Sequence, residues 1–161
     1  MSEEEVEKVK EWIGKNLQAL YGNLIRDILI KAAQESGEIA GREIETDPNS
    51  MNKEVVIYCM ENGKRIEKGR LDIVFKTMSG RLIVVEVKAT TDLGNVQEQY
   101  SAALKGLKTD PGYISLIREY GLDVFGRVWS DSDVDTYIIV VIKTKLEDGS
   151  NEIVIMQEVS R

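Results

Sequence analysis

The chain of 161 residues contains no histidine and a single cysteine, Cys59. The lack of histidine excludes catalysis by Ser-His-Asp or Cys-His arrangements, and it excludes zinc sites with imidazole ligands. One cysteine cannot form an internal disulfide, and a lone Cys in the strand-like run EVVIYCM is more often a small hydrophobe than a nucleophile. Chemistry in this protein therefore depends on carboxylates, lysine, hydroxyl groups, the backbone or a metal ion.

Long apolar runs and an excess of positive charge are also absent from the sequence. No run approaches the roughly 20 apolar residues of a membrane span, and the N-terminal MSEEEVEKVK lacks the features of a signal peptide. We therefore expect a cytoplasmic protein without a membrane partner. The net charge of −7 argues against non-specific binding to nucleic acid, but it leaves room for a local basic patch. The length predicts a single domain over residues 1–161.

Apolar residues at spacings of three and four predict an amphipathic helix over residues 1–36. It is either one long helix or two helices in line, with Gly14 and Gly22 as break points. After it, the segment EIAGREIE is compatible with a short strand. The apolar stripe of the predicted helix consists of Val6, Val9, Ile13, Leu17, Leu20, Leu24 and Ile28.

Strand-like runs separated by short turns predict an antiparallel meander over residues 54–89. A helix over 92–107, with N-cap candidates at 90–92, and a helical segment YISLIREYG come next. Two C-terminal strands are expected over 136–159, the first of them, TYIIVVIK, covered on both faces. This order predicts an α/β fold in which helices flank a mixed central sheet.

Three charged residues interrupt the apolar strands of the meander. Asp72 lies in the run LDIVF, and Glu86 and Lys88 lie in or directly after the run LIVVEV. Pairing across the turn at 78–80 places Asp72 opposite Val85 or Glu86, with opposed Cβ atoms about 4.5–5.5 Å apart. Lys88 projects from the same face as Glu86 because side chains alternate along a strand. The hairpin therefore predicts a cluster of three charges within a largely buried sheet.

Two adjacent carboxylates cannot neutralise each other's charge, and their repulsion raises the pKa of one of them. A divalent metal is the direct solution, and an oxygen-only site with few protein ligands suits Mg²⁺ or Mn²⁺. A lysine beside such a metal can orient a water molecule or help to deprotonate it. Two carboxylates, a metal ion and a lysine together are the groups needed to hydrolyse a phosphodiester bond.

The spacing of Asp72, thirteen residues, then Glu86-Val87-Lys88 resembles the motif of the PD-(D/E)xK nuclease superfamily. The order of predicted elements is similar to its restriction-endonuclease-like α-β-β-β-α-β core, here with an extra C-terminal strand. The resemblance implies a Mg²⁺- or Mn²⁺-dependent endonuclease acting on DNA. Asp72, Glu86 and the backbone carbonyl of Val87 would bind the metal, and Lys88 would serve the attacking water. Leu71 stands where the motif has proline.

The resemblance also implies two accessory positions. Asp27, at the edge of the apolar stripe of the first helix, is a candidate further metal ligand, and the alternative for it is an ion pair with Lys31 at i+4. Gln97 is a candidate to face the site from the second helix. Tyr100, three residues later, is expected in the core.

Alternatives to a nuclease remain open at this stage. Short patterns of this kind arise by chance in chains rich in Glu and Lys, and the three charges could form a purely structural ion pair. The chain could also be a catalytically inactive, nuclease-like module that binds DNA or protein, and pairing of the long first helix would give a homodimer. Seven basic residues either line a phosphate track or are scattered solvent contacts: Lys53, Lys64, Arg65, Lys68, Arg70, Lys105 and Lys108.

Overall fold

A single long helix, α1 (Glu3–Ser36), begins the fold. The structure is a computed structural model that describes residues 2–161, with the side chains of residues 10–21 outside the description. Ser2 caps the helix by accepting a hydrogen bond from the Glu5 N–H at 3.1 Å. Gly37 ends it with a left-handed φ of 74°, a conformation in which glycine has no Cβ penalty. The two predicted break points therefore do not interrupt α1.

The apolar stripe predicted for α1 is not the face that packs on the sheet. The buried side chains of the described part are Ile25, Leu29 and Ala33, one position further around the helix. This phase is wrong in the prediction because both stripes are apolar in the second half of α1. Ile13, Leu17 and Leu20 lie outside the described side chains, and the other members of the predicted stripe are exposed: Val6, Val9, Leu24 and Ile28.

Two short strands and three long ones follow α1. The strands β1 (Glu38–Ile39) and β2 (Arg42–Glu43) form a small hairpin within the segment EIAGREIE. The predicted meander is β3 (Met51–Glu61), β4 (Lys64–Lys76) and β5 (Leu82–Thr91), and both of its pairings are antiparallel. Gly80, with a φ of 80°, lies in the turn between β4 and β5, as the sequence predicts.

The segment after the meander contains two helices and a second small hairpin. Asn95, and not a residue of 90–92, caps α2 (Val96–Lys108), because Thr90 and Thr91 still belong to β5. The segment YISLIREY is α3 (Tyr113–Tyr120). The strands β6 (Leu122–Val124) and β7 (Arg127–Trp129) were not predicted.

The last two strands complete a five-stranded mixed sheet. The strand β8 (Val134–Thr144) runs parallel to β5, and β9 (Asn151–Val159) runs antiparallel to β8. The strand order is β3-β4-β5-β8-β9. The fold is therefore α/β with a mixed central sheet, and β5 and β8 are its only parallel pair within residues 2–161.

Helices cover both faces of the sheet. One face, with Ile73 and Ile83, packs against Ile25 and Leu29 of α1. The opposite face, with Val84, packs against α2 and α3. The middle of β8 is buried on both faces, which confirms the prediction from its continuous apolar run. No helix in the described residues 2–161 is both long and apolar enough to cross a membrane.

Candidate functional site

The β4–β5 ladder opens at the two predicted carboxylates. Regular pairing ends at Ile73 opposite Val85, so the next position places Asp72 beside Glu86 and settles the one-residue ambiguity in the register. The Asp72 N–H donates to Glu86 Oε1 at 3.2 Å, and the Val87 N–H donates to Asp72 Oδ2 at 2.8 Å. Two side-chain carboxylates thus replace backbone carbonyls as acceptors where the strands separate.

The opening between the strands leads into a cavity of about 200 Å³. Its walls come from α1, β4, β5 and α3, so it lies where elements from both faces of the sheet approach each other. Lys88 is half-buried and lines this cavity together with both carboxylates. The structure therefore brings together Asp72, Glu86 and Lys88, the three residues that the sequence singled out.

Glu86 carries the most perturbed ionisation of the site. Its side chain is buried, with 6% of the residue exposed. Burial raises the pKa of its carboxyl well above the ordinary value, and the neighbouring charge of Asp72 raises it further. The ionised form of Glu86 is therefore disfavoured, and a further cation beside the pair would favour it.

Arg26 is a site residue that the sequence reasoning missed. Its Nη2 lies 2.7 Å from Asp72 Oδ1, and the two side chains are only 21% and 16% exposed. Its Nη1 lies 3.7 Å from Glu54 Oε1 on β3. Because Arg26 directly follows the buried Ile25 on α1, the correct helix phase would have directed attention to it.

Asp27 and Gln97, the two accessory candidates, do not line the cavity as the structure describes it. Asp27 is 55% exposed, and its Oδ1 lies 2.8 Å from Lys53 Nζ, so its partner is a strand lysine and not the helical Lys31. Gln97 is exposed on α2. Tyr100 is partly buried and packs on the core, as expected.

Tyr113 of α3 forms the wall of the cavity opposite α1. Its ring packs over Gly69 of β4 so closely that a Cβ at Gly69 would lie 2.9 Å from Tyr113 Cε1. Burial raises the pKa of the Tyr113 hydroxyl, and the charges of Glu86 and Asp72 raise it further, so the hydroxyl stays protonated and can donate. A glycine inside a strand is the sequence signal for such a close approach.

Three of the basic residues considered for a phosphate track are paired with carboxylates. Arg70 Nη2 lies 2.8 Å from Glu67 Oε1, and Arg65 Nη2 lies 3.8 Å from Asp123 Oδ2. Lys53 is held by Asp27 in the same way. The positive charge of these side chains is therefore partly neutralised, which argues against the phosphate track considered from the sequence.

The cavity offers two carboxylates as donors to a metal ion. Within the described residues, no group of three or more His, Cys, Asp or Glu side chains is placed to hold a metal ion. Asp72 and Glu86 supply two carboxylates, and Val87 between Glu86 and Lys88 lines the same cavity. Mg²⁺ is commonly held by one or two carboxylates and keeps several waters. This largely buried acidic pair is thus compatible with Mg²⁺ or Mn²⁺, and Arg26 neutralises part of its negative charge.

No protein-family model matches the chain, and no curated protein matches it either. The function is therefore inferred from the geometry of Asp72, Glu86 and Lys88 together with the motif they form.

Proposed function

We propose that the protein is a metal-dependent nuclease that hydrolyses DNA phosphodiester bonds on a restriction-endonuclease-like core. One observation carries the proposal: Asp72 and Glu86 meet where β4 and β5 separate, and Lys88 lines the cavity that begins there. The order helix, three-stranded meander, helix, parallel strand is compatible with the α-β-β-β-α-β core implied by the motif. The strand β9 is then the extra C-terminal strand.

The proposed roles follow from the positions of the side chains. Asp72, Glu86 and the carbonyl of Val87 would hold Mg²⁺ or Mn²⁺, which supplies an activated water and neutralises charge on the phosphate. Lys88 is the cation of the cavity on the same strand as Glu86, so it can orient the attacking water and stabilise negative charge near it. The protonated Tyr113 hydroxyl is a further donor in the cavity wall.

The test is a cleavage panel on branched, single-stranded and duplex DNA with Mg²⁺ or Mn²⁺. The wild-type protein is expected to cut at least one of these substrates, and EDTA is expected to stop it. Lys88→Ala is expected to lower the cleavage rate by roughly 10²- to 10⁴-fold, the range for loss of a positioned proton-transfer group. Asp72→Asn is expected to abolish metal-dependent cleavage, because it removes a proposed metal ligand. Asn at position 72 keeps an acceptor for the Val87 N–H, so the strand opening is retained.

Lys143→Ala is the matched control for the lysine variant. Lys143 is also a half-buried strand lysine, but it lies on β8 and its Nζ is 3.4 Å from Asp92 Oδ1, outside the cavity lining. Wild-type cleavage by this control, combined with loss in Lys88→Ala, would support the assignment. Metal-dependent cleavage that is unchanged in both Lys88→Ala and Asp72→Asn would refute it.

A second candidate function, an assembly module without cleavage, is favoured by the exposed apolar side chains of α1. Val6, Val9, Leu24 and Ile28 are all exposed, although they belong to one periodic stripe. A second copy of the chain is the partner that we propose for this stripe, since a two-fold contact uses the same patch on both subunits. A sedimentation experiment that finds a dimer, together with no cleavage in the panel, would favour this function.

A further inference from the structure

Arg26 already binds one of the two Asp72 carboxylate oxygens that are available to a metal ion. Its guanidinium lies 2.7 Å from Asp72 Oδ1, while Asp72 Oδ2 accepts the Val87 N–H at 2.8 Å. Both oxygens of this carboxylate therefore have partners. A divalent cation that approaches Asp72 meets a positive charge already in hydrogen-bond contact, and the two cations repel each other in this largely buried position.

We infer that Arg26 is an internal counter-ion of Asp72 that a divalent cation displaces, and that Glu54 receives the displaced guanidinium. The inference rests on the metal site of the proposed function and adds a regulation of that site by the chain itself. Arg26 is a positioning residue in this arrangement, because it acts on the metal through Asp72.

Glu54 is placed to receive the guanidinium. Its Oε1 lies 3.7 Å from Arg26 Nη1, so a small rotation of the arginine side chain brings the two groups into hydrogen-bond distance. Arg26 Nη1 also donates to Asn23 Oδ1 at 3.2 Å, one turn earlier on α1. The arginine head thus lies between two carboxylates, one inside the site and one at its edge.

The backbone at Glu54 is unusual in a way that fits this role. The β3–β4 pairing passes from Lys53 opposite Ile73 to Val55 opposite Leu71, so Glu54 and Asp72 face each other across a gap in the ladder where neither residue is paired. Glu54 has a φ of 54°, which is unfavourable for a residue with a Cβ. Such strained positions cluster at functional sites. At this irregular position the Glu54 carboxylate lies 3.7 Å from Arg26 Nη1 of α1.

A static ion pair is the competing explanation, and metal binding separates the two. We propose to measure Mn²⁺ affinity by calorimetry for the wild type, Arg26→Met, Glu54→Gln and the double variant. The absence of histidine removes one common source of background binding. Arg26→Met is expected to bind Mn²⁺ roughly tenfold more tightly, because Asp72 no longer has a competing cation, and tenfold corresponds to about 1.4 kcal/mol.

Glu54→Gln gives the second part of the test. Without the receiving carboxylate, Arg26 stays on Asp72, so Mn²⁺ is expected to bind several-fold more weakly than to the wild type. In the Arg26→Met background the same change is expected to alter the Mn²⁺ affinity by less than about twofold, because the guanidinium that Glu54 would receive is absent. Lys31→Met, which removes one exposed positive charge from the same helix, is the control for a general field effect and is expected to leave the affinity unchanged.

Two patterns among measurable Mn²⁺ affinities would overturn the inference. One is an Arg26→Met variant that binds Mn²⁺ no more tightly than the wild type. The other is a Glu54→Gln effect of equal size in both backgrounds, which would mean that Glu54 acts only through its charge. If Arg26→Met does not fold, Arg26→Lys takes its place, and it is expected to bind Mn²⁺ with intermediate affinity because an ammonium lacks the fork of the guanidinium.

The outcome for the nuclease function is separate. Coupled Mn²⁺ affinities without DNA cleavage would support the inference and remove the proposed function. DNA cleavage by a protein whose Mn²⁺ affinities show no coupling would support the proposed function and overturn the inference. No measurable Mn²⁺ binding by any of the variants would overturn the inference, and the cleavage panel with Mg²⁺ would still decide the function.

Discussion

Replacing Glu86 with glutamine removes the buried charge of the site while keeping the size of the side chain. The amide oxygen of Gln can still accept the Asp72 N–H, and its NH₂ group can donate to the Asp72 carboxylate. The variant therefore isolates the electrostatic cost of Glu86 from its packing. We expect Glu86→Gln to be more stable than the wild type in metal-free solution at neutral or higher pH.

The magnitude follows from the burial and the neighbouring charge. Two unit charges about 5 Å apart, the separation of opposed strand positions, repel by roughly 3 kcal/mol at an effective dielectric constant of about 20. Burial of Glu86 adds to this cost, and Arg26 on Asp72 offsets part of it. A net gain of about 1–3 kcal/mol in the free energy of unfolding corresponds to a rise in Tm of roughly 3–9 °C for a chain of this length.

The raised pKa of Glu86 determines how the stability difference between Glu86→Gln and the wild type changes with pH. The pKa of Glu86 is raised in the folded state above its ordinary value of 4.5. The stability associated with its protonated form is therefore fully present below that value and is lost as the pH rises through the folded-state pKa. The difference in Tm between Glu86→Gln and the wild type should be small near pH 4 and should grow toward pH 8.

The assay is thermal unfolding, followed by circular dichroism in EDTA across this pH range. Glu152→Gln is the matched control, since Glu152 is a strand glutamate that is about half exposed beside Lys145, and it should shift stability by less than about 0.5 kcal/mol. Mn²⁺ should raise the Tm of the wild type more than that of Glu86→Gln. A Glu86→Gln variant that is no more stable than the wild type in EDTA at pH 8 would refute the reasoning.

Three further predictions concern the cavity wall, the core and the helix surface. Gly69→Ala should lower the free energy of unfolding by about 1–3 kcal/mol, because the added Cβ displaces the Tyr113 ring, and denaturant titration measures this. Leu107→Ala, at a fully buried position of α2, should cost about 2–5 kcal/mol in the same experiment, and a smaller loss would contradict the packing described. Leu24→Lys combined with Ile28→Lys should leave stability nearly unchanged, since both are exposed, and should convert any dimer seen in sedimentation to a monomer.

The strands of the site were predictable because their apolar runs are long and their turns are short. The proximity of Asp72 and Glu86 follows from the hairpin alone, but the register was open by one residue until the pairing of Ile73 with Val85 was known. The opening of the ladder was not predictable, because it depends on side-chain acceptors that replace the backbone carbonyls. Sequence periodicity does not reveal such a replacement.

The phase of α1 was the main failure, and it decided which helical residue was expected in the site. Leu24 and Ile28 form one apolar line, and Ile25 and Leu29 form another, about 100° around the helix. Periodicity cannot choose between two such lines. The choice of the first one directed attention to Asp27, whereas packing on the second brings Arg26 to Asp72.

The hairpin of β6 and β7 was missed for a different reason. Each strand has three residues, and the turn between them is formed by Phe125 and Gly126, with φ values of 53° and 77°. Two consecutive positive φ values are typical of a type I′ turn, for which Asn-Gly or Asp-Gly is the usual sequence signal. A phenylalanine in that position gives no such signal.

The hydrogen bonds across the strand opening affect how this site would change in evolution. Asp72 and Glu86 each accept a backbone N–H that would otherwise lack an acceptor in the sheet, so replacing either one by a side chain without an oxygen acceptor costs stability. Among the described residues, the Lys88 side chain makes no such bond to the strands. Under selection for stability alone, an oxygen acceptor would therefore be kept at positions 72 and 86, whereas position 88 would be free to change.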